Sequence, residues 1–150
     1  MCSSDLLKVT NSSVPDDDKQ IIVIAAMHGG PERCGTTTLM HLAQWLLSDD
    51  PAAAETRRKQ VVLVMPIVNP YAFFVTDDML NSNGIDPYTG GQAENWDLQT
   101  MTYKQPDKVP EIKAVLSVID QYQPDVFADM HGAALNPIPR EKRNGRSRYG

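Results

Sequence analysis

Ile21–Glu32 reads IIVIAAMHGGPE, an apolar run that ends in a histidine, two glycines, a proline and a glutamate. The run IIVIAAM shows no polar alternation, as expected for a strand buried on both faces of a parallel sheet. Gly29–Gly30–Pro31 breaks the strand and turns the chain. Leu39, Leu42, Ala43, Leu46 and Leu47 then recur at helical spacing, which predicts a helix over Thr36–Ser48, with the run Thr36–Thr37–Thr38 offering a hydroxyl N-cap. His28 and Glu32 would thus sit on a strand-to-helix turn at the carboxyl edge of a sheet, where open α/β folds place their ligands. An imidazole and a carboxylate on one such turn can share a divalent metal, and zinc accepts both donor types.

Two further strands repeat the pattern. Val61–Pro66, VVLVMP, is again uninterruptedly apolar and leads to Asn69. Asp125–Met130, DVFADM, ends at His131. A β-α-β order implies a right-handed crossover and a parallel pair, so His28, Asn69 and His131 should open onto one edge. Between these strands lie a polar connection over Asp49–Gln60, with a short helical turn at Ala52–Arg57, and a second helix, Val109–Tyr122. Ile112, Val115, Leu116, Ile119 and Tyr122 form the apolar stripe of that helix, with Pro110 and Glu111 suited to its first turn. Leu6–Thr10, LLKVT, is a short strand candidate. From Tyr71 to Pro106 the periodicity is lost and turn residues dominate, although Phe73, Phe74, Tyr88, Trp96 and Tyr103 speak against disorder. So long an aperiodic segment in a compact domain is expected to serve a site or line a cleft. The expected fold class is α/β, a three-layer arrangement with a mostly parallel mixed sheet.

Composition narrows the function. The chain has 150 residues, 41% hydrophobic and 22% charged, so it is ordinary and globular. A net charge of −5 argues against a general nucleic-acid binder. No apolar stretch approaches the roughly 18 residues of a membrane span, and no signal peptide is visible, so no membrane partner and a cytoplasmic location are expected. Cys2 and Cys34 give no disulfide framework. There is no Gly-x-Ser-x-Gly elbow, no HExxH, no GxGxxG and no P-loop. Two histidines and a glutamate on one edge instead match the His₂Glu set of a catalytic zinc, with a fourth position left for water. Asp86 and Asp129 lie near these positions, and either could accept the second N–H of a ligand imidazole. His41 falls off the apolar stripe of its helix and reads as a surface histidine.

AAMHGGPERCG, VMPIVNP, GID and FADMHG, in that order, resemble the zinc carboxypeptidases, the carboxypeptidase A-like metallopeptidases. The resemblance runs from about Leu6 to Gly132. It implies a zinc-carboxypeptidase-like (phosphorylase/hydrolase-like) α/β sandwich with zinc as cofactor. It makes His28, Glu32 and His131 the zinc ligands and Asp86 the aspartate that hydrogen-bonds the first zinc histidine, and leaves Asn69 as a candidate to touch substrate. The implied activity is hydrolysis of a peptide or acyl-amino-acid substrate by metal-activated water. The alternative is a non-catalytic zinc- or ligand-binding module, or an inactive fragment, on the same fold.

The departures from the family pattern are specific. HGGPE places three residues between the ligands where the family usually has two. Tyr71–Ala72 follows Asn69–Pro70 in place of Asp-Gly. Pro87, Tyr88 and Thr89 stand where the family commonly has an Asn-Arg pair that grips a terminal carboxylate. No arginine between Tyr71 and Ile85 matches the one that polarises the scissile carbonyl. The family's general-base glutamate lies well beyond the third zinc ligand, whereas Glu141 is the only carboxylate side chain after His131. The expectation is therefore that residues 1–132 form the N-terminal, zinc-binding part of such a domain, and that residues 133–150 are a basic tail or abnormal terminus.

Overall fold

The computed structural model describes residues 5–26, 29–76, 78–87, 96–97, 102–103 and 106–132. Its centre is a four-stranded mixed sheet. The strands are β1 (Leu7–Val9), β2 (Gln20–Ala26), β3 (Gln60–Met65) and a last strand, Val126–Met130, in the spatial order first, third, second, last. β2 pairs in parallel with β3, from Gln20↔Gln60 to Ala25↔Met65. It also pairs in parallel with the last strand, from Ile22↔Val126 to Ala26↔Met130. Only β1 is antiparallel, with Lys8 opposite Leu63. A separate two-stranded ribbon joins β4 (Trp96–Asp97) to β5 (Thr102–Tyr103), so the last strand of the main sheet is β6.

The two faces of the sheet bury different clusters, which is why the strands lack polar alternation. Val62, Val64 and Ala26 pack with Leu39 and Leu46 of α1 (Arg33–Leu46). Val23, Ala25, Val61, Leu63 and Met65 point the other way. They meet Val115 and Val118 of α4 (Pro110–Tyr122), which comes after α2 (Pro51–Lys59) and α3 (Pro70–Phe74). Leu39, Val23, Leu63 and Val64 are all fully buried. Helix, sheet and helix thus make the three layers of an α/β fold.

Several local expectations need correction. The threonines do not cap α1, which begins earlier, at Arg33. Thr37 and Thr38 lie inside the helix and donate to the carbonyls of Arg33 and Cys34. Thr36 donates to the Pro66 carbonyl at 2.7 Å and so ties α1 to the end of β3. The connection after α1 contains a full helix, α2, rather than one turn. Asp50 caps it by accepting from Ala52 and Ala53, Pro51 opens it, and only Ala53 is buried, so it carries no apolar stripe to read. Leu47 ends α1 and is 70% exposed, and Leu116 of α4 is 50% exposed, so neither belongs to the core. Val118 packs inward on α4 instead. The aperiodic stretch after Tyr71 contains α3 and the β4–β5 ribbon. His28, Tyr88, Thr89 and the tail at 133–150 lie outside the described residues.

Candidate metal centre

Parallel pairing puts the carboxyl ends of β2, β3 and β6 on one edge, and the turns beyond β2 and β6 converge there. After β2 the chain makes a 3-10 turn, Gly30–Glu32, that runs directly into α1. Glu32 is buried, and its Oε2 accepts from the Gly29 backbone N–H at 3.2 Å, which fixes the carboxylate over its own turn. Gly29 is a position of close approach: a Cβ there would run into the Met79 side chain and lie 3.1 Å from the Met79 Cα. The Gly30 N–H donates to the Asp78 carbonyl at 2.7 Å. The segment at 78–79 therefore closes directly over the turn that holds Glu32.

β6 delivers His131 to the same place, because Ala26 and Met130 are register partners at the strand ends. His131 Nδ1 is 2.8 Å from Glu32 Oε1, and His131 Nε2 is 2.9 Å from Asp129 Oδ2. The imidazole thus meets a carboxylate at each nitrogen. Asp129 and His131 are two apart on a strand, so they share a face. Burial opposes protonation of His131, but the hydrogen bond it donates to Glu32 and the charge and hydrogen bond of Asp129 outweigh it. The His131 pKa is raised above its usual 6.5.

This donor set fits zinc. His131 Nδ1 and Glu32 Oε1 stand at hydrogen-bond distance, and both are donor types that zinc accepts. Asp129 on the opposite nitrogen is placed as the carboxylate partners of metal-binding histidines commonly are. Among the described residues no group of three metal-ligating side chains closes. Of the sequence-derived candidates, Glu32 and His131 are brought together, and His28 falls outside the described residues. Asp86 belongs to the 78–87 segment whose start covers the Glu32 turn. Asn69 lies just past β3, fully buried, and its side-chain oxygen accepts from the Ala72 N–H at 3.1 Å to cap α3. His41 is exposed on α1. Arg33, beside Glu32, stacks on the Phe73 ring at 4.9 Å and donates to the Phe73 carbonyl at 3.0 Å.

Sequence reading overlooked one polar group near this edge. Glu111, read as a helix-terminus charge, is fully buried and accepts from Asn81 Nδ2 at 3.0 Å. The available signal was Asn81-Ser82-Asn83-Gly84, a turn sequence in which the first asparagine commonly folds its side chain onto the backbone.

A family model described as zinc carboxypeptidase matches residues 3–136. Among solved structures, the chain is similar to a metallo-carboxypeptidase from Burkholderia cenocepacia, with a TM-score of 0.69, 22% identity, and coverage of 88% of this chain and 33% of that one. A Pseudomonas aeruginosa metallo-carboxypeptidase, solved with (2-guanidinoethylmercapto)succinic acid, matches with a TM-score of 0.63, 22% identity, and coverage of 88% and 32%. The tripeptide-bound cell shape determinant Csd4 of Helicobacter pylori matches with a TM-score of 0.57, 17% identity, and coverage of 91% and 29%. The chain therefore spans about a third of the length of the solved structures it resembles. No curated protein matches.

Proposed function

Because the chain belongs to the zinc carboxypeptidase family, we propose that it forms the zinc-binding part of a hydrolase of peptide or amide bonds. The observation that carries this reading is the 2.8 Å approach of Glu32 Oε1 to His131 Nδ1 at the ends of two parallel strands. His28, Glu32 and His131 are the proposed zinc ligands. Asp86 is the proposed hydrogen-bond partner of His28, and Asn69 is a candidate to touch substrate.

When bound, zinc supplies a Lewis acid and lowers the pKa of a coordinated water to about 7. The residues of this chain hold and orient the ligating atoms. The Gly29 N–H holds one oxygen of Glu32 and leaves the other aimed at the site. Asp129 accepts from His131 Nε2, which keeps Nδ1 available as the ligating atom. The tight Gly29–Glu32 turn, covered by Met79, shields the carboxylate from bulk water.

The proposed substrates are peptides or acyl-amino acids, and the absent Asn-Arg pair leaves a deacylase or amidase as well as an exopeptidase within the reading. Residues 1–132 are the proposed metal-binding unit, with 133–150 a basic tail. The free thiol of Cys34 suits a reducing, cytoplasmic compartment. Among the described residues no helix is long and apolar enough to cross a membrane.

Zinc titration of the purified chain tests the reading. One zinc per chain is expected, lost in His28→Ala and His131→Ala, weakened in Glu32→Gln, and kept in His41→Ala. Equal zinc retention in all four variants contradicts it. Hydrolysis of peptides by residues 1–150 should be weak even with zinc, since general-base assistance is worth roughly 10²–10⁴-fold and Glu141 is the only carboxylate side chain after His131. Ordinary enzymatic turnover that Glu32→Gln abolishes would place the base within this chain instead.

A further inference from the structure

Glu111 and Asn81 form a buried polar pair that the proposed chemistry leaves unused. Glu111 is fully buried in the first turn of α4, and Asn81 is 2% exposed. Burying a carboxylate is costly unless hydrogen bonds hold it, so a position this closed calls for a reason. Asn81 uses its side chain completely. Nδ2 donates to Glu111 Oε2 at 3.0 Å and to the Lys108 carbonyl at 2.8 Å. Oδ1 accepts from the N–H of Asn83 at 2.9 Å and of Ile85 at 3.1 Å. Its backbone closes the same loop, donating to the Ile85 carbonyl at 2.7 Å and accepting from the Gly84 N–H at 3.0 Å. Gly84 has φ +73°, a conformation that glycine adopts without strain.

These bonds fix Ile85, the residue before Asp86, to the start of α4. The other end of the segment is fixed to the candidate metal turn, through the Gly30 N–H on the Asp78 carbonyl and the contact of Met79 with Gly29. The segment is therefore clamped between the helix and the turn of Glu32. We infer that Asn81 and Glu111 are positioning residues for the metal site, holding the 78–87 segment so that Asp86 and the Glu32 turn keep the geometry that zinc requires. This inference rests on the proposed zinc reading. It adds α4 to the elements that shape the site, although α4 supplies no ligand.

The test measures zinc affinity by chelator competition and the visible spectrum of the Co²⁺-loaded chain, which reports ligand geometry. Asn81→Ala and Glu111→Ala are each expected to weaken zinc binding by about tenfold or more, within the ~10–100-fold range of outer hydrogen-bond partners, and to alter the cobalt spectrum. Asn81→Asp keeps the acceptor for Asn83 and Ile85 but sets a second carboxyl against Glu111 in place of the amide donor, so it should show the same change if Asn81→Ala does not fold. Val118→Ala is the control: it loosens α4 away from the loop and should leave affinity and spectrum unchanged at a comparable loss of Tm. If the Asn81 and Glu111 variants bind zinc like the unsubstituted chain, or no more weakly than Val118→Ala at matched Tm, the inference is overturned while the zinc reading stands. If the unsubstituted chain binds no zinc, or His131→Ala keeps it, the zinc reading falls and the inference with it.

Discussion

At the scale of the residue, His131 is the group whose environment says most. Its ring lies between Glu32 and Asp129, at 2.8 and 2.9 Å, and its pKa is raised above 6.5. A raised folded-state pKa contributes stability that is full below the unfolded value and is lost as pH rises through the folded value. The metal-free protein should therefore lose part of its thermal stability as pH climbs from about 6 through the folded pKa of His131. Zinc binding has the opposite slope, because the metal must displace the proton, so affinity should increase over the same range. Asp129→Asn removes one of the two charges that favour the imidazolium, and both slopes should move to lower pH. Melting curves and zinc competition across pH 5–9 check this, and curves that Asp129→Asn leaves in place would contradict it. The approach of His131 to Glu32 was legible because each comes after an apolar strand. The Asn81–Glu111 pair was not, since thirty positions separate its members and an acidic residue in a first helical turn has an adequate local explanation.

Among the elements, the β1–β2 connection shows how a short polar segment acquires a fixed shape. Lys19 is buried, and its ammonium shares three N–H groups among four oxygens at 2.8–2.9 Å: Thr10 Oγ1, the carbonyls of Asn11 and Val14, and Asp16 Oδ1. Hydrogen bonds from Lys19 and then Lys8 hold the Asp16 carboxyl down at about 2. Its contribution to stability is present above the unfolded pKa and lost as pH falls through the folded one, so acid should loosen this connection between about pH 4 and 2. Lys19→Met should cost about 1–3 kcal/mol, the scale of leaving buried carbonyls without a donor, as read by urea denaturation at neutral pH. A variant as stable as the parent would show that the carbonyls find water instead. Strand identities were legible from continuous apolar runs, and α4 from its valine and isoleucine spacing. α2 was legible only as a short helical turn, because a helix that buries one alanine has no periodic signal. The threonines misled because hydroxyl side chains serve equally as caps and as donors to carbonyls inside a helix.

For the molecule as a whole, the sheet is what brings the residues of the candidate site together. Parallel β2 and β6 bring residues 32 and 131 within hydrogen-bond reach although 99 positions separate them. The three layers were legible in the alternation of buried strands with amphipathic helices. The exact start of α1 was not, because Thr36 is engaged by a distant partner, the Pro66 carbonyl past the end of β3, rather than by its own helix terminus. The proposed zinc is held by Glu32, His131 and His28. Anomalous scattering at the zinc edge from crystals grown with one equivalent of zinc tests it most directly. The expected result is one strong peak at about 2.0–2.2 Å from a Glu32 oxygen and the imidazole nitrogens of His28 and His131. A peak ligated elsewhere, or none at this edge in crystals whose chains contain zinc, would contradict it.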